Sequence, residues 1–257
     1  MEYPYVYAIG NIECRFPTAG IEKEFAQVTG RSDTKGLTDR GVLFQTLNDS
    51  NNRYLARRLC FVMTINSLDT YILKARDPMD LSLLIESVRP GYHSDALDSV
   101  IGVRGPIAPP EMCNGLMLPI VIFDQIYSFD RNTHRKAIPR ATDMSEIEFN
   151  NTADEVLSRI MQLTDNAGAT DQDRALNYLA LRYDRIYTET ANAHGRSESL
   201  SGIEVRPSPL AGARSIVDVI FTYTNRSTDV DNKWAVRVDV TEEFPFLVNK
   251  LSPYLER

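Results

Sequence analysis

The side chains with most chemistry to offer are three cysteines, three histidines and a scatter of carboxylates. Their spacing decides what they can do. A metal centre built from Cys60, Cys113, His93 and Glu111 would have to be assembled entirely by the fold. Structural zinc sites show close pairs such as C-x-x-C or H-x3-H, and no such pair occurs here. No metal and no cofactor is therefore expected, and a buried cysteine serves as a small hydrophobe. For nucleophilic catalysis there is no G-x-S-x-G elbow, and no histidine sits in a recognisable triad setting. Cys113, beside Glu111 and Asn114, is the thiol to test. Asp124, Asp130 and Asp239 fall near predicted strand ends, where either a solvated charge or a pocket acid fits.

Phosphate chemistry finds no support, because neither G-x-x-x-x-G-K-[ST] nor G-x-G-x-x-G is present. Gly102-Val-Arg-Gly105 has the G-x-x-G spacing of a KH loop. It follows a strand-like run and precedes Pro106, however, instead of joining two helices. No catalytic residue is assigned.

The elements around these groups centre on residues 100–131. Two apolar runs, Val100 to Val103 and Leu118 to Ile126, flank a loop rich in Pro, Gly and polar residues. Pro106, Pro109 and Pro110 fix their own φ and restrict the residues before them, so the connector is stiff. If functional, it presents a surface, and its candidate binding residues are Arg104, Glu111, Cys113, Asn114 and Asp124.

Bulk properties narrow the classes further. With 257 residues, 43% hydrophobic and 25% charged, the chain has the composition of a globular protein with a sizeable core. A net charge of −7 opposes general binding to nucleic acid or anionic membrane. The three separated cysteines argue against a disulfide framework and for a reducing compartment, read as cytoplasmic. The opening MEYPYVYAIG lacks the basic and apolar regions of a signal peptide, and no apolar run is long enough to span a membrane.

Along the chain, alternating Tyr3, Tyr5, Tyr7 and Ile9 predict a strand ended by Gly10. Helices follow with the stripes Ile21, Phe25, Val28 and Val42, Leu43, Leu47, the second capped by Thr38. A third, Arg53 to Leu59, sets Tyr54, Leu55 and Leu59 against Arg53, Arg57 and Arg58. Cys60–Ile65 and Thr70–Leu73 predict a hairpin with a four-residue loop. Asp77-Pro78 starts a helix that ends at Arg89-Pro90-Gly91. A strong helix begins near Ser145 and stops at Asn166-Ala-Gly168. Another, capped by Thr170 with Asp173, runs to His194-Gly195 without a proline. Strands at Leu200–Arg206, Ile216–Tyr223 and Trp234–Val240 form a meander, and Phe244, Phe246, Leu247 and Leu251 dock on the core. The fold class is α+β: a central mixed or antiparallel sheet with hairpins, a C-terminal strand meander, and a pair of long helices packed on it. With no internal repeat or low-complexity linker, residues 5–257 are read as a single composite domain.

The segments RFPTAGIEKEFAQ, NRYLARRLC, VIGVRGPIAPPEMCNGLMLPIVIFDQIYSFDR, RIMQLTDNAGATDQDRALNYLALRY and VDVTEEFPFLVNKLSPYLER resemble the C-terminal domain of unknown function of PatG-type cyanobactin (patellamide-like) maturation proteins. The resemblance runs from about Tyr5 to Arg257. It implies a place in the biosynthesis of ribosomally made cyclic peptides, beside a subtilisin-like protease/macrocyclase and, in some members, a thiazoline oxidase. The Asp/His/Ser motifs of the protease are absent from this sequence, and no part of the oxidase is recognisable. The expectation is a non-catalytic interaction or structural domain, with an undiscovered enzyme acting on the modified peptide as the alternative. Expected partners are the cyanobactin precursor peptide, other maturation domains, or a second copy in a homodimer. The abrupt start at a strand fits a domain excised from a longer polypeptide.

Overall fold

The computed structural model describes residues 4–30, 39–90, 96–140, 144–163, 166–210 and 212–254. Thr38, His93 and Gly91, and with them the predicted cap and helix end, lie outside the described residues, as does Tyr3. The chain separates into two compact units, Met1–Arg131 and Asn132–Arg257, each with its own sheet.

In the first unit β1 (Tyr5–Arg15) leads into α1 (Ala19–Thr29), α2 (Asp39–Asn48) and α3 (Arg53–Arg58). Then come β2 (Cys60–Ile65), β3 (Leu68–Ala75), α4 (Leu81–Ser87), β4 (Ala96–Ile107) and β5 (Pro119–Asp130). The strands close into a barrel in the order β1-β2-β3-β5-β4. β3 and β5 run parallel, and every other pair is antiparallel. A five-stranded barrel with this Greek-key path, and a helix between its third and fourth strands, has the layout of the oligonucleotide/oligosaccharide-binding fold.

Closure depends on β1 serving two partners. Tyr5 to Gly10 pair with β4, and Asn11 to Arg15 pair with β2. Gly10 is therefore not the end of a strand but the point where β1 changes partner. A Cβ there would lie 2.2 Å from the Thr64 carbonyl oxygen, so only glycine lets the backbones approach. Alternation along β2, β3 and β5 sends Phe61, Met63, Tyr71, Leu73, Val121 and Phe123 inward, where none is more than 3% exposed.

Local chemistry sets the connections. Thr18 caps α1, and Gly30 ends it at φ 60°. Asp77 and Asp80 form a capping box around one 3-10 turn, Pro78–Asp80, ahead of α4. The hairpin turn is two residues instead of four. Asn66 and Ser67 take φ of 50° and 65°, the left-handed pair of a type I′ turn, whose twist matches the strands.

The second unit contains α5 (Arg131–Ala137), α6 (Glu146–Gln162), α7 (Asp171–Arg182) and α8 (Arg185–Gly195), followed by β6 (Glu198–Pro207), β7 (Ile216–Asn225), β8 (Asp231–Asp239), β9 (Phe246–Leu247) and β10 (Ser252–Pro253). The sheet order is β10-β8-β7-β6, with β9 also on β8, and all pairs are antiparallel. The α+β class and the C-terminal meander expected from the sequence hold.

Reciprocal capping boxes, Ser145 with Glu148 and Thr170 with Asp173, start α6 and α7. The single long helix expected after Thr170 is broken at Tyr183, which leaves helical geometry at φ −133°, ψ 86°. Two tyrosine hydroxyls give the reason. Tyr183 Oη accepts from the Leu251 amide at 2.9 Å, and buried Tyr187 Oη donates to the Ala180 carbonyl at 2.7 Å. Each polar tip thereby finds a partner, Tyr183 in the C-terminal segment and Tyr187 across the break in α7. The terminal segment docks through Leu251, 6% exposed, whereas Phe244 and Phe246 are 51% and 47% exposed and face solvent. Among the described residues no helix is long and apolar enough to cross a membrane.

Candidate functional site

The loop between β4 and β5, residues 108–118, lays its apolar side chains on the barrel and leaves Glu111 and Asn114 exposed. Its neck is closed by the Ala108 amide donating to Leu118 at 2.8 Å. Inside it, the Met112 amide donates to Pro109 at 3.0 Å, Gly115 to Pro110 at 2.7 Å, and Leu116 to Cys113 at 3.0 Å. Asn114 and Gly115 occupy consecutive positive-φ positions, 52° and 85°, which asparagine and glycine tolerate best. The loop is thus pre-shaped by its own bonds and by Pro109 and Pro110.

This shape directs apolar atoms onto the outer face of the barrel. Ala108, Cys113, Met112, Leu116 and Leu118 pack with Cys60 and Val62 of β2, Ile72 of β3 and Ile120 of β5. Val62 and Ile72 point away from the barrel interior yet are 0% exposed. At the centre of the contact Cys60 and Cys113 form a disulfide, with Cα atoms 5.9 Å apart and a sequence separation of 53. The expectation of unpaired cysteines fails for these two. Strand β2 and the loop meet only through barrel closure, which spacing along the chain does not reveal. Cys113 is consequently not a free nucleophile.

The five candidate binding residues are dispersed. Glu111 and Asn114 are exposed on the outer side of the loop, while Cys113 is buried beneath them. Arg104 is exposed on β4. Asp124 sits on β5 where the register with β4 shifts, between the pairs Gly102–Phe123 and Ile101–Gln125. It is the extra residue of a bulge, which turns its carboxylate toward Arg76 at 2.7 Å.

A second region of the same unit was not singled out from the sequence. A half-open cavity of about 850 Å³ lies between β1, α1 and α2. Ile12, Cys14, Phe16, Phe25 and Val42 supply its apolar lining, with Glu13, Glu22, Asp39 and Arg40 as charged groups. Arg40 donates to the Ser87 carbonyl at 2.5 Å. Nearby, Asp98 is 4% exposed, and burial pushes its carboxyl up to about 6. Hydrogen bonds from Ser128 Oγ and from the Ile12 amide, the latter 2.8 Å, oppose that rise. Burial likewise pushes the Cys14 thiol up to about 12. Cys14 stays protonated at neutral pH and is a poor nucleophile. These residues come from β1, α1, α2 and β4 with no shared motif, so no signal in the sequence links them.

Elsewhere, acid/base candidate Asp239 is 1% exposed and has a structural role. It accepts from the Thr241 amide at 2.9 Å and pairs with Arg214 at 3.0 Å. His134 has a ring nitrogen 3.2 Å from the Ala180 carbonyl, and burial holds its pKa below the usual histidine value. The three exposed arginines of α3 remain at the surface, with Arg58 paired to Glu24 at 2.5 Å. Among the described residues, no three His, Cys, Asp or Glu side chains are grouped so as to hold a metal ion.

Comparison with known proteins places this geometry in a family context. Residues 143–254 match the family described as "PatG C-terminal", in agreement with the resemblance carried by the sequence. No curated protein matches the chain. A solved structure described as "PatG Domain of Unknown Function" is similar in fold with a TM-score of 0.79. It is 20% identical, and the alignment covers 98% of this chain and 99% of that one. At that identity the likeness establishes the fold.

Proposed function

We propose that this chain, with its PatG C-terminal region at 143–254, is a non-catalytic interaction domain of PatG-type cyanobactin biosynthesis. The observation that carries the reading is the fold shared over 98% of the chain with a PatG domain of unknown function. That neighbour spans both compact units, which supports treating residues 5–257 as one PatG-type domain.

Physical chemistry supports binding over turnover. Of the three cysteines, Cys60 and Cys113 are bonded to each other and Cys14 is held protonated by burial. The barrel belongs to a class of scaffold that binds extended polymers on its face and in its loops. The net charge of −7 opposes nucleic acid as that polymer and favours peptide. In this reading the partners are the precursor peptide or sister maturation domains, in the cytoplasm, and a second copy of the chain is a further partner.

Titration of the intact chain with leader, core and macrocyclic peptides and with sister domains tests the proposal. Saturable binding to at least one is expected, with every peptide recovered at unchanged mass and stereochemistry. Binding to none, together with normal product from a pathway lacking the domain, would remove the reading. A changed peptide mass would replace it with catalysis. Light scattering checks self-association: a purely monomeric chain at high concentration removes the homodimer.

A further inference from the structure

The outer face of β2, β3 and β5 is the side on which barrels of this class take ligands, flanked by the connection between the fourth and fifth strands. Here that connection lies over the face. Met112, Leu116 and Leu118 pack onto it, and Val62 and Ile72 are wholly hidden beneath them. The loop's backbone hydrogen bonds are internal, from Met112 to Pro109, Gly115 to Pro110 and Leu116 to Cys113. They hold its shape independently of the face, and what joins the two is apolar contact, the Cys60–Cys113 bond and a 3.2 Å approach of Cys60 Sγ to the Met112 carbonyl oxygen.

We propose that the Cys60–Cys113 disulfide is a redox latch, whose reduction lets residues 108–118 swing out and bares an apolar face for a peptide segment. The loop is its own template for that occupant. The incoming segment places apolar side chains where Met112, Leu116 and Leu118 now sit. This deepens the reading of the chain as a peptide-binding module and rests on it for the identity of the natural ligand.

The chemistry balances with a dithiol as the reductant. One thiolate of the dithiol attacks Sγ of Cys60 or Cys113, breaking the Sγ–Sγ bond and forming a mixed disulfide. Its second sulfur closes the oxidised dithiol, and the two electrons and two protons leave Cys60 and Cys113 as thiols. Disulfides of proteins in reducing compartments are rare and, where found, respond to redox state. A latch reconciles this bond with the cytoplasmic location of the proposed function.

The test uses the intact chain, oxidised and after equilibration with excess dithiothreitol, followed by hydrogen exchange. Reduction is expected to speed exchange across 108–118 by about tenfold or more, with β6, β7 and β8 unchanged as the internal reference. A fluorescent synthetic peptide of residues 108–118 carrying C113S is then titrated against both forms. It binds the reduced chain and not the oxidised one, and a C113S chain binds it without reductant. If C113S fails to fold, the reduced wild-type chain gives the same readout.

Unchanged exchange of 108–118 on reduction would overturn the latch. Loop opening without peptide binding, or equal binding to both forms, would overturn the bared face as a binding site. Because the probe is the loop's own sequence, these results stand apart from the titrations with pathway peptides that test the proposed function.

Discussion

The two units satisfy their sheets in opposite ways. The barrel of the first has no free edge, since β1 pairs with both β2 and β4. The surface it has to protect is an outer face, covered by apolar side chains and one covalent bond. The open sheet of the second ends at β6 and β10, and polar groups anchor its surroundings. Arg174, 3% exposed, donates to the Val240 carbonyl at 2.7 Å, to Glu242, and to Glu243 at 3.4 Å, pinning the chain after β8. Asn166 and Asn177 exchange side-chain amide bonds of 2.8 and 3.0 Å between the end of α6 and α7. Thr190 and Tyr223 share a bond of 2.9 Å between α8 and β7. Apolar cover tolerates many sequences, whereas buried polar contacts demand particular residue types. The family match falls within the second unit, at 143–254.

Four changes break or sharpen this contrast. The largest is replacement of Cys60 and Cys113 by alanine. Closing a separation of 53 residues restricts the unfolded chain by about 4 kcal/mol in the loop-entropy model. Hydrogen exchange in β2 and β3 reads that loss. The chain's only tryptophan, Trp234 on β8, reads the second unit and is expected to keep its urea midpoint. An equal shift at Trp234 would merge the two regions into one cooperative whole.

Arg174→Ala acts on the other side of the comparison. It strips buried carbonyls of a charged donor and is expected to lower the Trp234-detected stability by roughly 3 kcal/mol, leaving exchange in β2 and β3 unchanged.

Third, Asp98 makes the first unit sensitive to pH. Its folded pKa, about 6, lies above the ordinary aspartate value, so the folded state holds this proton more tightly than the unfolded one. The contribution is fully present below about pH 4 and is lost as pH rises through 6, a change of about 2–3 kcal/mol. Asp98→Asn should flatten the stability profile over that window. A slope as steep as that of the wild type would assign it to other groups.

The smallest effect is Tyr223→Phe, which removes one neutral buried hydrogen bond and leaves Thr190 its bond to the Ile186 carbonyl at 2.7 Å. About 1 kcal/mol is expected, read by Trp234 fluorescence.

What the sequence disclosed follows from how local each signal is. The start near Ser145 and the cap Thr170 with Asp173 act within one turn of their helices, and each helix begins where they stand. The meander was legible because its alternation and turns are also local. Barrel closure was not, because it joins Tyr5–Gly10 to residues 98–103 through a pairing that no pattern on either strand specifies. The same distance hid the Cys60–Cys113 bond and the cavity shared by Cys14 and Arg40. Tyr183 broke a helix with a continuous apolar stripe because its hydroxyl is claimed by Leu251, 68 residues away. For the loop between β4 and β5, the sequence showed the connector but not that its apolar residues pack on the barrel. Apolar residues at 108, 112, 116 and 118 were as compatible with a displayed surface as with a cover.

The central claim, that this chain binds peptide without transforming it, is tested most directly by hydrogen exchange of the intact chain with and without the precursor peptide, the peptide's mass being read in the same samples. The account predicts saturable protection of a contiguous set of amides in the chain and an unaltered peptide. Protection by no peptide, or a peptide of changed mass, would contradict it.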